Sequence, residues 1–585
     1  MKLSLSWIRD YVNIPEDADL KKLAYDLTMS TVEVEDVEYL AERFENMIVG
    51  VIEKIEPHPN ADRLRVCKVN IGSDEIKDIV CGGINLEEGM RVAVSCPGAV
   101  VRWHGEGEPV VIKNSKLRGV ESFGMICASD EIGLGELFPS ETEGEILDLS
   151  AFDVPAGTSL ANALDMNDVL LEIDNKSMTN RPDLWGHYGI AREIAALYNL
   201  PLAKIEPFRA DVQSDFKVEI EDPDRCTRYI GVEMSGVAVK PAPYKMQNRI
   251  WKVGMRPINA LVDITNYVML ATGNPTHAFD ADNITDHIVV RHAGEGEKLL
   301  LLNDKELELN ADDLVITDSE GAVALAGVMG GAKDSILPKT ERVILEVANF
   351  EATGIRRTAL RYDTRTEASS RYEKAIDPER CDQALALSMK YFKELYPELQ
   401  VTGYCDNYVK KLDRAEIDVN LTWLEKRLGK HLTNEEIQGK LEQLGFDVQI
   451  DGDNMHVTAP TWRSTGDISI KDDVMEEVAR MYGYDNFEAT EFTTTFTDSI
   501  NQKDKSLVRN IKEYLAIRCG MQEVYTYPWM NDVVCKRRFC KAQTGMLLKL
   551  STPPAPDMSC IRSSLLPNLC EAVAKNERYF NDFSI

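Results

Sequence analysis

The chain has 585 residues, 44% of them hydrophobic, which is typical of a globular protein and predicts about four domains. Its formal net charge of −31 argues weakly against nucleic-acid binding by this chain alone, and favours a second subunit that supplies basic surface. Twelve cysteines without a CxxC pair, no signal peptide, and no apolar run near the roughly 18 residues of a membrane span indicate a cytoplasmic protein.

Two regions with helical patterns flank a stretch of short strands in the first 200 residues. Residues 1–40 predict a helix and the strand-like segment EVEDVEYL, and helices resume within 151–200. Between them, residues 41–150 alternate apolar and polar positions in short runs separated by Gly and Pro, which favours a small β-barrel. We therefore predict a barrel inserted into an N-terminal helical or α+β domain made of 1–40 plus 151–200.

The barrel region is rich in glycine-containing segments. These are HPNADRLRVCKVNIG (58–72), IVCGGIN (79–85), SCPGAVV (95–101) and KLRGVESFGMICASDEIGLG (116–135). Small open barrels use such surfaces to bind oligonucleotides, and glycine lets a ligand backbone approach closely. The residues are equally compatible with a purely structural barrel in which glycines only form turns.

Residues 201–405 predict a mixed α/β domain with a pocket. The segment RPINALVDITNYVMLATGNPTHAFD (256–280) combines an apolar, helix-like run with an unusual number of polar side chains. These are Arg256, Asn259, Asp263, Asn266 and His277. Buried polar groups are costly when unpaired, so we expect them to bond one another or a ligand.

A second polar segment runs from Ala322 to Lys374. It contains GVMGG (327–331), the apolar run VILE that ends at Glu346, and RTEASSRYEK (365–374). Together the two segments predict a pocket for a small molecule or a nucleotide end. Simpler alternatives are a core histidine at position 277, turn glycines, and a buried glutamate with a partner. The sequence has no Ser-His-Asp or Cys-His signature and no Walker-type loop.

Residues 406–484 predict a winged-helix-like module, with helices over 422–429 and 434–445 followed by a hairpin around 451–454. A further helix begins near residue 472.

On that helix Asp473, Glu476 and Glu477 share a face, and Asp467 lies just before it. Four carboxylates without His or Cys suit Mg²⁺, although an acidic first turn stabilised by the helix dipole is the simpler alternative. The last region, 485–585, predicts a helix over 503–519 and the strand-like QEVYTYPWM, without an ATP-binding arginine motif.

The motifs, taken in order, resemble those of the β subunit of bacterial phenylalanine–tRNA ligase over essentially the whole chain. The ordered set comprises the barrel segments, NRPD (180–183), the 256–280 segment, GVMGG with VILE, RTEAS, and D-x5-D-x2-EE. The resemblance implies an α+β multidomain fold with an inserted oligonucleotide-binding barrel, a central editing-type domain, a winged-helix-like module and a partial synthetase-like module. It also implies that the family's chain continues beyond residue 585.

The resemblance further implies an (αβ)₂ heterotetramer in which the α subunit charges tRNA(Phe) with ATP. The β subunit then contributes tRNA contacts and hydrolyses mischarged Tyr-tRNA(Phe). The implied pocket comprises Arg256, His277, Gly327, Gly330, Glu346, Thr366 and Ala368. In it Glu346 would accept a hydrogen bond from the tyrosyl hydroxyl, and His277 and Arg256 would orient the tRNA 3′ end.

The same resemblance implies one Mg²⁺ ion, shared with the α subunit and held by Asp467, Asp473, Glu476 and Glu477. The chain departs from the family at residues 363 and 375, where the family often has glycine. Two other functions stay open: a free-standing deacylase that clears mischarged tRNA, and a non-catalytic tRNA-binding scaffold.

Overall fold

The protein, described here by a computed structural model, forms two compact units, Met1–Glu488 and Ala489–Ile585. The structure describes residues 1–72, 76–210, 212–333, 335–489, 491–498, 500, 502–533 and 547–585. Within these ranges, no helix is both long and apolar enough to cross a membrane.

The N-terminal domain is assembled from two distant parts of the sequence. Strand Val169–Ile173 lies between Lys2–Ser4 and Val34–Tyr39, and pairs antiparallel with both. The chain therefore leaves this sheet after residue 39 and returns to it at residue 169. The helices of this part are Leu5–Ile8, Leu20–Ser30, Leu160–Ala163 and His187–Tyr198.

An antiparallel five-stranded sheet lies within that excursion. Its order is Met125–Ile126, Arg91–Ser95, Met47–Pro57, Arg65–Asn70 and Ile76–Cys81. Two short hairpins join Val100–Val101 to Val110–Val111 and Ser115–Leu117 to Val120–Ser122. Buried residues such as Cys67 and Val69 alternate with more exposed ones, the period-two pattern from which the sequence predicted strands.

Two sheets form the central region. The first, called the central sheet here, has the antiparallel order Thr276–Asp280, Arg342–Phe350, Cys226–Ser235, Gln400–Tyr408. The second has the order Val218–Ile220, Ile288–His292, Leu314–Thr317, Ala322–Leu325, Met329–Gly330, and a hairpin joins Lys298–Leu300 to Glu306–Glu308. The helices are Tyr244–Lys252, Ala260–Thr272, Ala352–Arg361, Glu367–Tyr372 and Arg380–Leu395.

The polar side chains around helix Ala260–Thr272 have mainly structural partners. The Asn259 side chain caps the helix by accepting hydrogen bonds from the backbone N–H groups of the second and third helical residues. Asp263 accepts a hydrogen bond from the backbone N–H of Ile258 at 2.7 Å. The expectation that these groups meet a ligand is therefore wrong for Asn259 and Asp263, because helix capping and a local turn satisfy them.

Residues 416–484 form a compact module. Its three-stranded antiparallel sheet has the order Glu416–Asn420, Asn454–Thr458, Asp447–Asp451. Its helices are Leu421–Leu428, Asn434–Gln443 and Lys471–Tyr482. The hairpin has Asp451 paired with Asn454, at the turn that the sequence indicated.

The second unit contains fewer regular elements. They are the helices Lys503–Glu513 and Leu566–Asn576, a π-helical turn at Tyr514–Arg518, and the strands Trp529–Met530 and Cys560–Ile561. The strand expected over 522–530 is therefore short, because the described residues offer it only the two-residue partner Cys560–Ile561.

Eight buried charges link the N-terminal domain to the 416–484 module. This charge cluster consists of Arg181, Asp183, Arg192, Glu193, Arg463, Asp467, Glu477 and Arg480. Arg480 donates to Glu193 at 2.7 Å and to Glu477 at 2.6 Å, so one guanidinium joins the two parts. Burial alone would raise the pKa of Glu477, but Arg463 and Arg480 hold that pKa well below its usual range.

We expect Glu477→Gln to lower the free energy of unfolding by about 3–5 kcal/mol, because it leaves Arg463 and Arg480 buried without a full counter-charge. Glu476 lies next to it on the same helix but is exposed, so Glu476→Gln should change stability by only about 0.5 kcal/mol or less. Urea unfolding of both variants measures this difference. Equal effects at the two positions would show that the charge cluster contributes no stability.

Candidate functional site

His277 and Glu346 face each other on neighbouring strands of the central sheet. The antiparallel register of Thr276–Asp280 with Arg342–Phe350 pairs these two residues directly. Directly paired side chains lie on the same face of a sheet, with Cβ atoms about 4.5–5.5 Å apart. Both side chains line one cavity on that face.

The cavity has a volume of about 80 Å³ and brings together five of the seven predicted pocket residues. These are His277, Gly327, Gly330, Glu346 and Ala368. Apolar groups, among them Ile316, Leu325, Val328, Met329 and Tyr372, form much of the remaining wall. Ligand pockets usually measure roughly 300–1,000 Å³, so this space admits only one end of a ligand.

Two glycines keep this space open. A Cβ atom on Gly330 would lie 2.8 Å from the His277 Nε2 atom, too close for the ring to stay in place. Gly327 has a φ of +65°, and a Cβ atom there would lie 2.9 Å from the Ile355 side chain. Larger residues would therefore displace His277 or strain the turn, which explains why both positions carry glycine.

The Glu346 carboxyl is buried, and no ion pair reaches it within the described part of the chain. Burial raises the pKa of Glu346 to about 8, against a smaller opposing effect of the Tyr229 hydroxyl. Near neutral pH the carboxyl is therefore mostly protonated, and it can both donate and accept a hydrogen bond.

The His277 ring is half-buried and packs edge-on against Phe279, with ring centroids 4.6 Å apart. Burial lowers the pKa of His277 to about 4, so the imidazole is neutral near pH 7. A neutral imidazole offers one donor and one acceptor nitrogen. The cavity thus presents two uncharged polar groups in an otherwise mainly apolar wall.

Thr366 positions the wall that carries Ala368. Its hydroxyl caps helix Glu367–Tyr372 by accepting from the Ser369 backbone N–H at 3.1 Å, and donates to the Val328 carbonyl at 2.8 Å. Thr366 therefore ties this helix to the glycine segment without lining the cavity. Tyr372, which sequence reasoning missed, lies on the same helical face as Ala368, four residues away, and that spacing was the available signal.

Arg256 does not join the cavity. It is exposed, in the segment that precedes helix Ala260–Thr272, and it is absent from the lining. A long side chain at a surface turn can contact a bound macromolecule only outside this pocket wall. The predicted grouping of Arg256 with His277 is therefore not present.

The two departures from the family lie at helix ends beside this wall. Asp363 follows helix Ala352–Arg361 with a φ of 47°, and Ala375 follows helix Glu367–Tyr372 with a φ of 62°. This left-handed region costs a residue with a Cβ atom roughly 1–2 kcal/mol. The chain thus keeps the turns that glycine would favour.

The four carboxylates predicted to hold Mg²⁺ do not converge. Asp467 bonds to Arg463 and accepts from the Asn180 side chain at 3.0 Å, and Glu477 is held between two arginines of the charge cluster. Both carboxylates are therefore already neutralised by arginine.

The remaining two carboxylates, Asp473 and Glu476, lie apart from this cluster. Asp473 accepts from the backbone N–H groups of Ser469 and Ile470 at the start of helix Lys471–Tyr482, as the simpler alternative required, and Glu476 is exposed. Across the part of the chain that the structure describes, no group of three or more His, Cys, Asp or Glu side chains is placed to hold a metal ion. The residues present therefore do not fit Mg²⁺.

Four family models match successive parts of the chain. They are a putative tRNA binding domain over residues 47–158, a B3/4 domain over 225–397, a tRNA synthetase B5 domain over 417–484, and a phenylalanyl tRNA synthetase beta chain CLM domain over 488–583. The cavity lies within the second match. Together the matches confirm a multidomain α+β chain with an inserted tRNA-binding barrel.

Three curated relatives, each a phenylalanine–tRNA ligase beta subunit, match almost the whole chain. The protein of Oceanobacillus iheyensis is 37% identical over 98% of this chain and 71% of its own length. That of Clostridium tetani is 35% identical over 100% and 73%, and that of Pectobacterium atrosepticum is 36% identical over 99% and 70%. The chain therefore belongs to the family of phenylalanine–tRNA ligase beta subunits.

Proposed function

We propose that this chain hydrolyses Tyr-tRNA(Phe) within an (αβ)₂ phenylalanine–tRNA ligase whose α subunit charges tRNA(Phe) with ATP. The observation that supports this most directly is the buried, uncharged Glu346 carboxyl paired with His277 at a cavity that admits one end of a ligand. The matching tRNA-binding, B3/4 and B5 domains agree with a role on charged tRNA.

Discrimination between tyrosine and phenylalanine follows from the isolation of the Glu346 carboxyl. A hydrophobic amino-acid pocket rejects an analogue with one extra hydroxyl only weakly, so a charging site for Phe needs a second test of its product. In the cavity a tyrosyl hydroxyl bonds to the Glu346 carboxyl. A phenylalanyl ring offers no partner and leaves that carboxyl desolvated, at a cost of about 1–3 kcal/mol.

The hydrolysis itself needs little from the protein beyond positioning. A water oxygen bonds to the ester carbonyl carbon, the bond from that carbon to the ribose oxygen breaks, and a proton passes to the ribose oxygen. The cavity lining contains no nucleophile with an adjacent base, so assistance by the neighbouring hydroxyl of the terminal ribose is the route that we infer. The neutral His277 ring, with space beside it at Gly330, orients the terminal nucleotide.

In the complex with the α subunit, we expect Glu346→Ala to lower kcat/KM for Tyr-tRNA(Phe) hydrolysis about ten- to hundredfold, the equivalent of one lost hydrogen bond in a desolvated site. His277→Ala should also lower it, and Gly330→Ala should lower it because the added Cβ displaces His277. Single-turnover deacylation of pre-charged tRNA measures each rate.

The matched control is Glu341→Gln, an exposed glutamate just before the Glu346 strand, which should leave the rate unchanged. Wild-type rates in both Glu346→Ala and His277→Ala would refute the proposal. Full hydrolysis by the chain without the α subunit would instead indicate a free-standing deacylase. No hydrolysis by any form would indicate a tRNA-binding scaffold.

The pH dependence of stability tests the protonation of Glu346. Because its folded-state pKa of about 8 lies above the ordinary value of 4.5, the protonated carboxyl stabilises the fold at low pH, and this contribution is lost as the pH rises from 4.5 to 8. Relative to Glu346→Gln, the wild type should lose about 1.4 kcal/mol per unit of that interval. Urea unfolding of the two proteins between pH 5 and 8 measures the difference, which should stay flat for Glu341→Gln.

A further inference from the structure

A second, larger cleft borders the helix that carries the cavity wall. It has a volume of about 370 Å³ and is lined by Glu367, Ser370 and Arg371 of helix Glu367–Tyr372. Ala368 and Tyr372 of the same helix line the cavity. Residues three or four apart share a helical face, so the two spaces lie against different faces of one helix, which is about 10 Å wide.

The cleft is basic in a chain that is otherwise strongly acidic. Five cationic side chains line it: Lys2, Lys176, Arg365, Arg371 and Lys374. Glu367 is the single carboxylate in the described lining. We call this feature the basic cleft.

Neighbouring acids neutralise only part of this charge. Glu38 lies 3.4 Å from Lys2, and Glu373 contacts both Arg365, at 2.7 Å, and Lys374, at 3.1 Å. Positive charge remains in excess, against a formal net charge of −31 for the whole chain. Such a local reversal of charge at a concave surface attracts an anionic ligand.

The cations of the basic cleft differ in how free they are. Arg371 is buried and bonds to Glu367 at 2.6 Å and to the Trp185 carbonyl at 3.0 Å, so it is part of the fold. Lys176 is exposed and forms no ion pair within the described residues, and Arg365 is 66% exposed. Lys176 and Arg365 are therefore free to bind a ligand without unfolding the protein.

We propose that the basic cleft binds phosphate groups of the tRNA 3′ strand whose terminal aminoacyl-nucleotide enters the cavity. This proposal rests on the proofreading function proposed above. The ester-linked end of the substrate occupies the cavity on one face of helix Glu367–Tyr372, and the preceding phosphodiesters cross to the other face. Lysine and arginine side chains supply the charge that a phosphate backbone requires, and the Ser370 hydroxyl adds a donor.

The test uses the reconstituted αβ complex with Lys176→Ala, Arg365→Ala and the double variant. The control is Lys426→Ala, an exposed lysine on helix Leu421–Leu428, far from the basic cleft in sequence. Each single variant should raise the Tyr-tRNA(Phe) concentration for half-maximal hydrolysis about fivefold and reduce the slope of log affinity against log salt by about one. The effect should fall on that concentration and not on the rate at saturation.

A second arm measures binding of uncharged tRNA(Phe) to the same proteins across a salt series. Half-maximal concentrations and salt slopes equal to the control in all three variants would overturn the basic cleft, even if hydrolysis still needs Glu346. Weaker tRNA binding by the variants of a complex that never hydrolyses Tyr-tRNA(Phe) would sustain the basic cleft as an RNA site and refute proofreading. No change in either arm would refute both.

Discussion

The antiparallel pairing of His277 with Glu346 is the constraint on which the site depends. A shift of one residue in either strand would move one of the two side chains to the opposite face of the central sheet. The buried hydrophobic faces of Arg342–Phe350 fix this register, because Ile344, Val347 and Ala348 are already committed to cores on the two sides. A polar pair is thus held in position by apolar packing, which makes a buried uncharged carboxyl possible.

Around this pair, neighbouring elements limit the space instead of adding charge. Gly330 leaves room for the His277 ring, and Thr366 ties the helix that carries Ala368 to the glycine segment. The charge cluster performs a different task, because it joins the N-terminal domain to the 416–484 module at a distance from the cavity in sequence. Recognition and domain assembly therefore rely on separate polar groups in this chain.

Sequence reasoning found the cavity residues that carry unusual chemistry in an apolar context. His277, Glu346 and the glycines stood out because polar or small residues interrupt strongly apolar runs. It failed where local spacing was the only guide: a shared helical face suggested a metal site for Glu477, but arginines 463 and 480, brought there by tertiary packing, neutralise it. Arg256 was grouped with the pocket by its neighbours in sequence, and an exposed turn places it outside.

The most direct test of the account is a crystal structure of the αβ complex with an adenosine that carries tyrosine on its 3′ position through an amide, which cannot be hydrolysed. The tyrosyl hydroxyl should lie about 2.5–3.0 Å from a Glu346 carboxyl oxygen, with the adenosine beside His277. A tyrosyl group bound outside the cavity, or one whose hydroxyl faces solvent away from Glu346, would contradict it.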